Sequence, residues 1–97
     1  MGVKFAREYK DIIDDLTAAI YQVGHFYESL GMEGADWDEL DKEEQAECVR
    51  TLADDVFYGL GGTSSMPVGH GVVRYDQQKH VITVDDGDKR ISIVYLV

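Results

Sequence analysis

The chain is poor in the residues that most often reveal a function. It has one cysteine, Cys48, in 97 residues. A lone thiol closes no internal disulfide and supplies no paired Cys spacing for a structural zinc site, and it fits a reducing, cytoplasmic compartment. No apolar run approaches the roughly 18 residues that a membrane span needs, and no charged-then-apolar leader precedes a small-residue cleavage site. Basic residues are also scarce, with nine Lys and Arg against 19 Asp and Glu, a net charge of −10. Direct binding to nucleic acid or to an anionic membrane surface is not expected of such a chain, because its summed field repels phosphate.

The acidic excess is concentrated. Between Asp11 and Tyr58 there are 14 acidic residues against only Lys42 and Arg50, a net of −12, while the rest of the chain sums to +2. With 44% hydrophobic and 29% charged residues, the composition is that of an ordinary globular protein. The length fits a single domain over 1–97.

From Val3 to Leu30, apolar residues recur in steps of one, three and four: Phe5, Tyr9, Ile12, Ile13, Leu16, Ala19, Ile20, Val23, Tyr27 and Leu30. This spacing predicts one long amphipathic helix ending at Gly31, with Gly24 marking a bend or a close approach by another element. Trp37, in a short acidic connector, is expected to fold back onto the helices. Asp41 with Glu44 three residues later is a capping-box pattern, and it opens a second helix whose apolar face is Val49, Leu52, Ala53, Val56, Phe57 and Leu60. The two form a predicted antiparallel hairpin over 3–60.

Residues 59–71 are rich in glycine and contain the only proline, Pro67, so they are expected to be a linker loop; they lack the lysine ending of a phosphate-binding loop. A three-stranded antiparallel meander is predicted over 71–97, with turns at Gln77-Gln78 and Asp86-Gly87. Two-residue loops there place Val73, Tyr75, His80, Ile82, Val84, Ile91, Ile93 and Tyr95 on the inner face, against the helices. Val72, Val81, Val94 and Leu96 then form an apolar strip on the outer face, a candidate homodimer or strand-addition surface. The fold class is α+β, with the helical hairpin covering one face of the meander.

Chemistry-bearing residues are dispersed. His25, His70, His80 and Cys48 have no paired ligand spacing, and Asp85-Asp86-Gly87-Asp88 is too short for a calcium loop, so neither metal nor cofactor is expected. Ser64 and Ser65 lack a nucleophile-elbow context, and Cys48 sits on an acidic helix that does not favour its thiolate, so no catalytic residue and no enzyme activity are expected.

The remaining signal is the acidic face: Asp11, Asp14 and Asp15 on the first helix, with Glu43, Glu44, Glu47, Asp54 and Asp55 on the second. A face that only solubilises is usually of mixed sign, whereas one so short of Lys and Arg suits a basic partner surface. In charge and size alone the chain is similar to small phage- or plasmid-encoded inhibitors of nucleic-acid enzymes, such as anti-restriction and anti-CRISPR proteins. That similarity implies a decoy occupying a basic nucleic-acid-binding groove. The alternative reading is a homo-oligomeric structural or regulatory adaptor acting through the outer face of the sheet.

Overall fold

Gly24 breaks the apolar stripe expected to be one helix. In the computed structural model, which describes residues 2–97, helix α1 spans Tyr9–Tyr21, buries Ile12, Ile13, Leu16, Ala19 and Ile20, and ends on Gln22. A 3-10 turn, Phe26–Leu30, follows His25, whose φ of 57° is left-handed, and ends at Gly31 with φ 74°. The break frees the Gly24 N–H to donate to Asp86 Oδ2 at 2.9 Å and its carbonyl to accept from the His70 N–H, also at 2.9 Å. Two tertiary hydrogen bonds thus form where a helix is weak, since glycine is about 1 kcal/mol poorer than alanine in a helix interior. At the other end, residues 2–8 are not helical. The Ala6 and Arg7 N–H groups share the Leu96 carbonyl at 2.7 and 3.1 Å, and the Lys4 N–H donates to the Tyr75 hydroxyl.

Helix α2, Gly34–Asp38, is a single short turn that sets Trp37 against the helical layer as expected. The indole meets the Phe26 ring edge-on at 5.0 Å, and its backbone carbonyl accepts from Gln45 Nε2. Helix α3, Lys42–Gly59, begins at the expected capping box: the Glu44 N–H donates to Asp41 Oδ1 at 2.8 Å and the Asp41 N–H to Glu44 Oε1 at 3.0 Å. It buries Val49, Leu52, Ala53, Val56 and Phe57. Asp14 pairs with Arg50 while Tyr9 reaches Asp54 and packs edge-on against Phe57, so α1 and α3 run antiparallel. The helical layer is therefore an α1–α3 pair bridged by a 3-10 turn and α2, rather than a simple two-helix hairpin.

Four strands, not three, follow in an antiparallel meander of order β1-β2-β3-β4: Ser65–Val68, Gly71–Asp76, Val81–Asp86 and Lys89–Tyr95. The added strand, β1, lies inside the stretch expected to be a linker and pairs Met66 with Val73 and Pro67 with Val72. Pro67 hides it from a composition-based reading, yet proline is tolerated on an edge strand, where no ladder partner needs its N–H. Val68 is fully buried.

The β2–β3 turn is longer than expected. Asp76 Oδ1 accepts from the N–H groups of Gln78 and Lys79, and His80, with φ 54°, is exposed in the turn rather than on the inner face. Val73 therefore pairs with Val84 and Tyr75 with Ile82. This slip of two residues keeps the same side chains inward.

Between β3 and β4 the outcome differs. Asp86 pairs with Lys89 across Gly87-Asp88, then a bulge between Val84 and Asp85 leaves Ile91 unmatched, and beyond it Ile82 pairs with Val94. One extra residue reverses every later side chain of β4. Val94 and Leu96 are consequently buried in the core, not on the outer face, while Ile93 and Tyr95 point outward, exposed. One core cluster joins these residues to Val73, Ile82 and Val84 of the sheet and to Leu16, Ile20, Val49 and Val56 of the helices.

Candidate functional site

The eight acidic residues singled out in the sequence all lie on α1 or α3, but they do not form one uniform surface. Asp15 pairs with Arg7 at 3.0 Å, Asp14 with Arg50 at 2.5 Å, and Asp54 accepts the Tyr9 hydroxyl at 2.8 Å. Arg50 holds the Asp14 carboxyl below the usual carboxylate range, mainly through the hydrogen bond. Burial, then the hydrogen bond to Asp54, push the Tyr9 hydroxyl up to about 12. Asp14 and Asp54 thus belong to the seam between α1 and α3, while Asp15 ties α1 to the segment that precedes it.

Glu44 is occupied by the cap. Asp11, Glu43, Glu47 and Asp55 are exposed and make no ion pair among the described residues. Glu43, Glu47, Thr51 and Asp55 follow one another at four-residue steps, which keeps them near one side of α3. Beside this row runs a shallow groove of about 360 Å³ lined by Leu30, Leu40, Glu44, Glu47, Cys48 and Thr51. Its floor is apolar, and two carboxylates stand at it. A lysine or arginine side chain has the matching chemistry, an aliphatic stem ending in a cation.

The outer face of the sheet mixes the two signs. There Asp85 is gripped by Arg74 at 3.0 Å and by Arg90. Around them Val81, although on this face, is nearly buried, Val72 is half-buried, and Ile93 and Tyr95 are exposed. The expected strip of Val72, Val81, Val94 and Leu96 is thus replaced by Val72, Val81, Ile93 and Tyr95.

A second cluster has no counterpart in sequence spacing. His25 and His70 stack at 4.2 Å with an 18° interplanar angle. His25 Nδ1 lies 3.4 Å from Glu28 Oε2 and 3.3 Å from the Tyr27 hydroxyl. One potential ligand atom from each of His25, Glu28 and His70 falls within 4.8 Å of the others, all three side chains being exposed. On the continuous helix predicted over 3–30, His25 has no reason to meet residue 70. The break at Gly24 and the β1–β2 turn bring it to His70 instead, and only the His25–Glu28 spacing was visible in the sequence.

No helix among the described residues is long and apolar enough to cross a membrane. Comparison with protein families, curated proteins and solved structures found no match to the chain. The class that fold and surface define is a small α+β protein with an acidic helical layer.

Proposed function

We propose that this chain is a protein-binding module whose acidic helical layer engages a basic surface of a partner, in the manner of a decoy for the nucleic-acid-binding groove of an enzyme. The observation that carries the reading is the groove of Leu30, Leu40, Glu44 and Glu47 beside the unpaired row of Glu43, Glu47 and Asp55. Partner lysines or arginines would lay their stems on the leucines and their charges on the glutamates. The excess negative field would speed encounter and make binding strongly salt-dependent.

The test uses a short arginine-rich peptide as probe, followed by capture of partners from lysate with the same variants. Binding is expected to weaken at least tenfold between low and moderate salt, and to be lost when Glu43, Glu47 and Asp55 are replaced by lysine. These positions are preferable to Asp14 and Asp15, whose reversal would also break ion pairs within the fold. Salt-insensitive binding that survives the triple reversal would refute the reading.

The exposed pair Ile93 and Tyr95 beside Val81 favours a second reading, a homo-oligomeric adaptor joined through the outer sheet face. In that case Ile93→Asp would abolish association and the helix reversals would leave it intact.

A further inference from the structure

We propose that His25, Glu28 and His70 bind a divalent transition-metal ion of the zinc class, an ion that would clamp the helix break to the β1–β2 turn. The three side chains are a borderline donor set of two imidazoles and one carboxylate, the composition that zinc takes with three protein ligands and an open position for water. Ligand atoms of a tetrahedral zinc site lie about 3.3 Å apart, given bonds of about 2.0 Å. Here they already lie within 4.8 Å of one another, so side-chain rotations at an exposed site close the remaining gap.

The backbone that presents these ligands is fixed from both sides. The His70 N–H donates to the Gly24 carbonyl, and the neighbouring Gly69 N–H donates to Ser29 Oγ at 2.9 Å, so the turn carrying one histidine is tied to the segment carrying the other two ligands. His25 and Glu28 are three residues apart at the start of the 3-10 turn, where side chains at that spacing eclipse. The left-handed φ of His25 is uncommon for a non-glycine residue; it sets the ring over His70 rather than along a helix face.

The surroundings also supply outer partners. The Tyr27 hydroxyl lies beside His25 Nδ1. Asp86 Oδ2 and His70 Nδ1 converge over Gly24, lying 3.3 and 3.6 Å from the point where a Cβ on that residue would sit. A carboxylate near a ligand imidazole is the usual means of fixing its tautomer and orientation.

The experiment titrates the full chain with Zn²⁺ by calorimetry, in excess Mg²⁺ to suppress binding by the acidic helices, and repeats the titration with Co²⁺ to read its visible absorption. One equivalent is expected to bind, with a raised Tm. His70→Gln and His25→Asn should each weaken binding at least tenfold, asparagine being chosen because it tolerates the left-handed backbone. Glu28→Gln should weaken it less, and His80→Ala should leave it unchanged. Circular dichroism confirms that each variant is folded, and Gly24→Ala offers an independent perturbation that removes no ligand. Absence of saturable binding, displacement by Mg²⁺, or wild-type affinity in folded His25→Asn and His70→Gln would each overturn the proposal.

Discussion

The amide of His70 donates to the carbonyl of Gly24 at 2.9 Å, fastening the first hairpin of the sheet to the point where the N-terminal helix gives way. Gly69 makes this approach feasible. Its φ is +54°, and a Cβ there would lie 2.5 Å from the His25 carbonyl oxygen and 2.6 Å from that of Gly24. Gly69→Ala should therefore cost at least about 1–2 kcal/mol through the left-handed backbone alone, and more through the clash. Urea unfolding measures this; an unchanged midpoint would mean that the docking contributes little.

Leu16 is fully buried, whereas Leu52 retains slight exposure at the edge of the core. Truncation to alanine should cost about 2–5 kcal/mol at such positions, with Leu16→Ala the larger because a sealed site leaves a cavity. Equilibrium denaturation of both variants checks the order. A smaller loss for Leu16 would contradict the packing.

The bulge at Val84/Asp85 makes adjacent residues of β4 opposite in character. Val94→Asp places an unpaired charge in the core and should consume most of a stability of about 5–15 kcal/mol, while Ile93→Asp, on the exposed face, should cost less than about 1.5 kcal/mol. Thermal melts of the two variants decide whether the strand is turned as described. The reverse order would restore the unbulged register.

Tyr9 gives the molecule an alkaline limit. Its folded pKa, pushed up to about 12 by burial and by Asp54, stands above the ordinary 10.0, so the folded state holds the proton more tightly than the unfolded chain. The corresponding stability is complete below pH 10 and is lost as pH rises towards 12. Tyr9→Phe should flatten the fall in Tm across that window, although Tyr21, raised in the same direction chiefly by burial, will retain part of the slope. A wild-type and a Tyr9→Phe profile that remain parallel would exclude this origin.

Asp14 acts at the other end. Its carboxyl is held below the ordinary 3.8 by the hydrogen bond to Arg50, so its contribution is present above that value and disappears as pH falls through the folded pKa. Asp14→Asn should be less stable than wild type near neutrality and approach it in acid, as pH-dependent unfolding would show.

By itself the sequence determined the α+β class, the capping box at Asp41, the burial of Trp37, the core-facing residues of α1 from Ile12 to Ile20 and those of α3, though not the exposure of Tyr9, and the concentration of negative charge on the helices. These follow from local periodicity, cap chemistry and composition, which act over a few residues and do not depend on what the chain later meets. Tertiary structure decided the rest. Gly24 could bend a helix or admit a neighbour, and only the positions of Asp86 and His70 turned it into a break. Pro67 marked a loop until β2 supplied an edge for β1. Val94 and Leu96 were assigned outward until one unmatched residue, Ile91, reversed β4, because a strand has a side-chain period of two and any odd slip exchanges its faces. The same long-range docking brought His25 and His70 together. Their separation in sequence carries no sign of that contact, since it is created by hydrogen bonds between a helix break and a hairpin turn that form only when the core has closed.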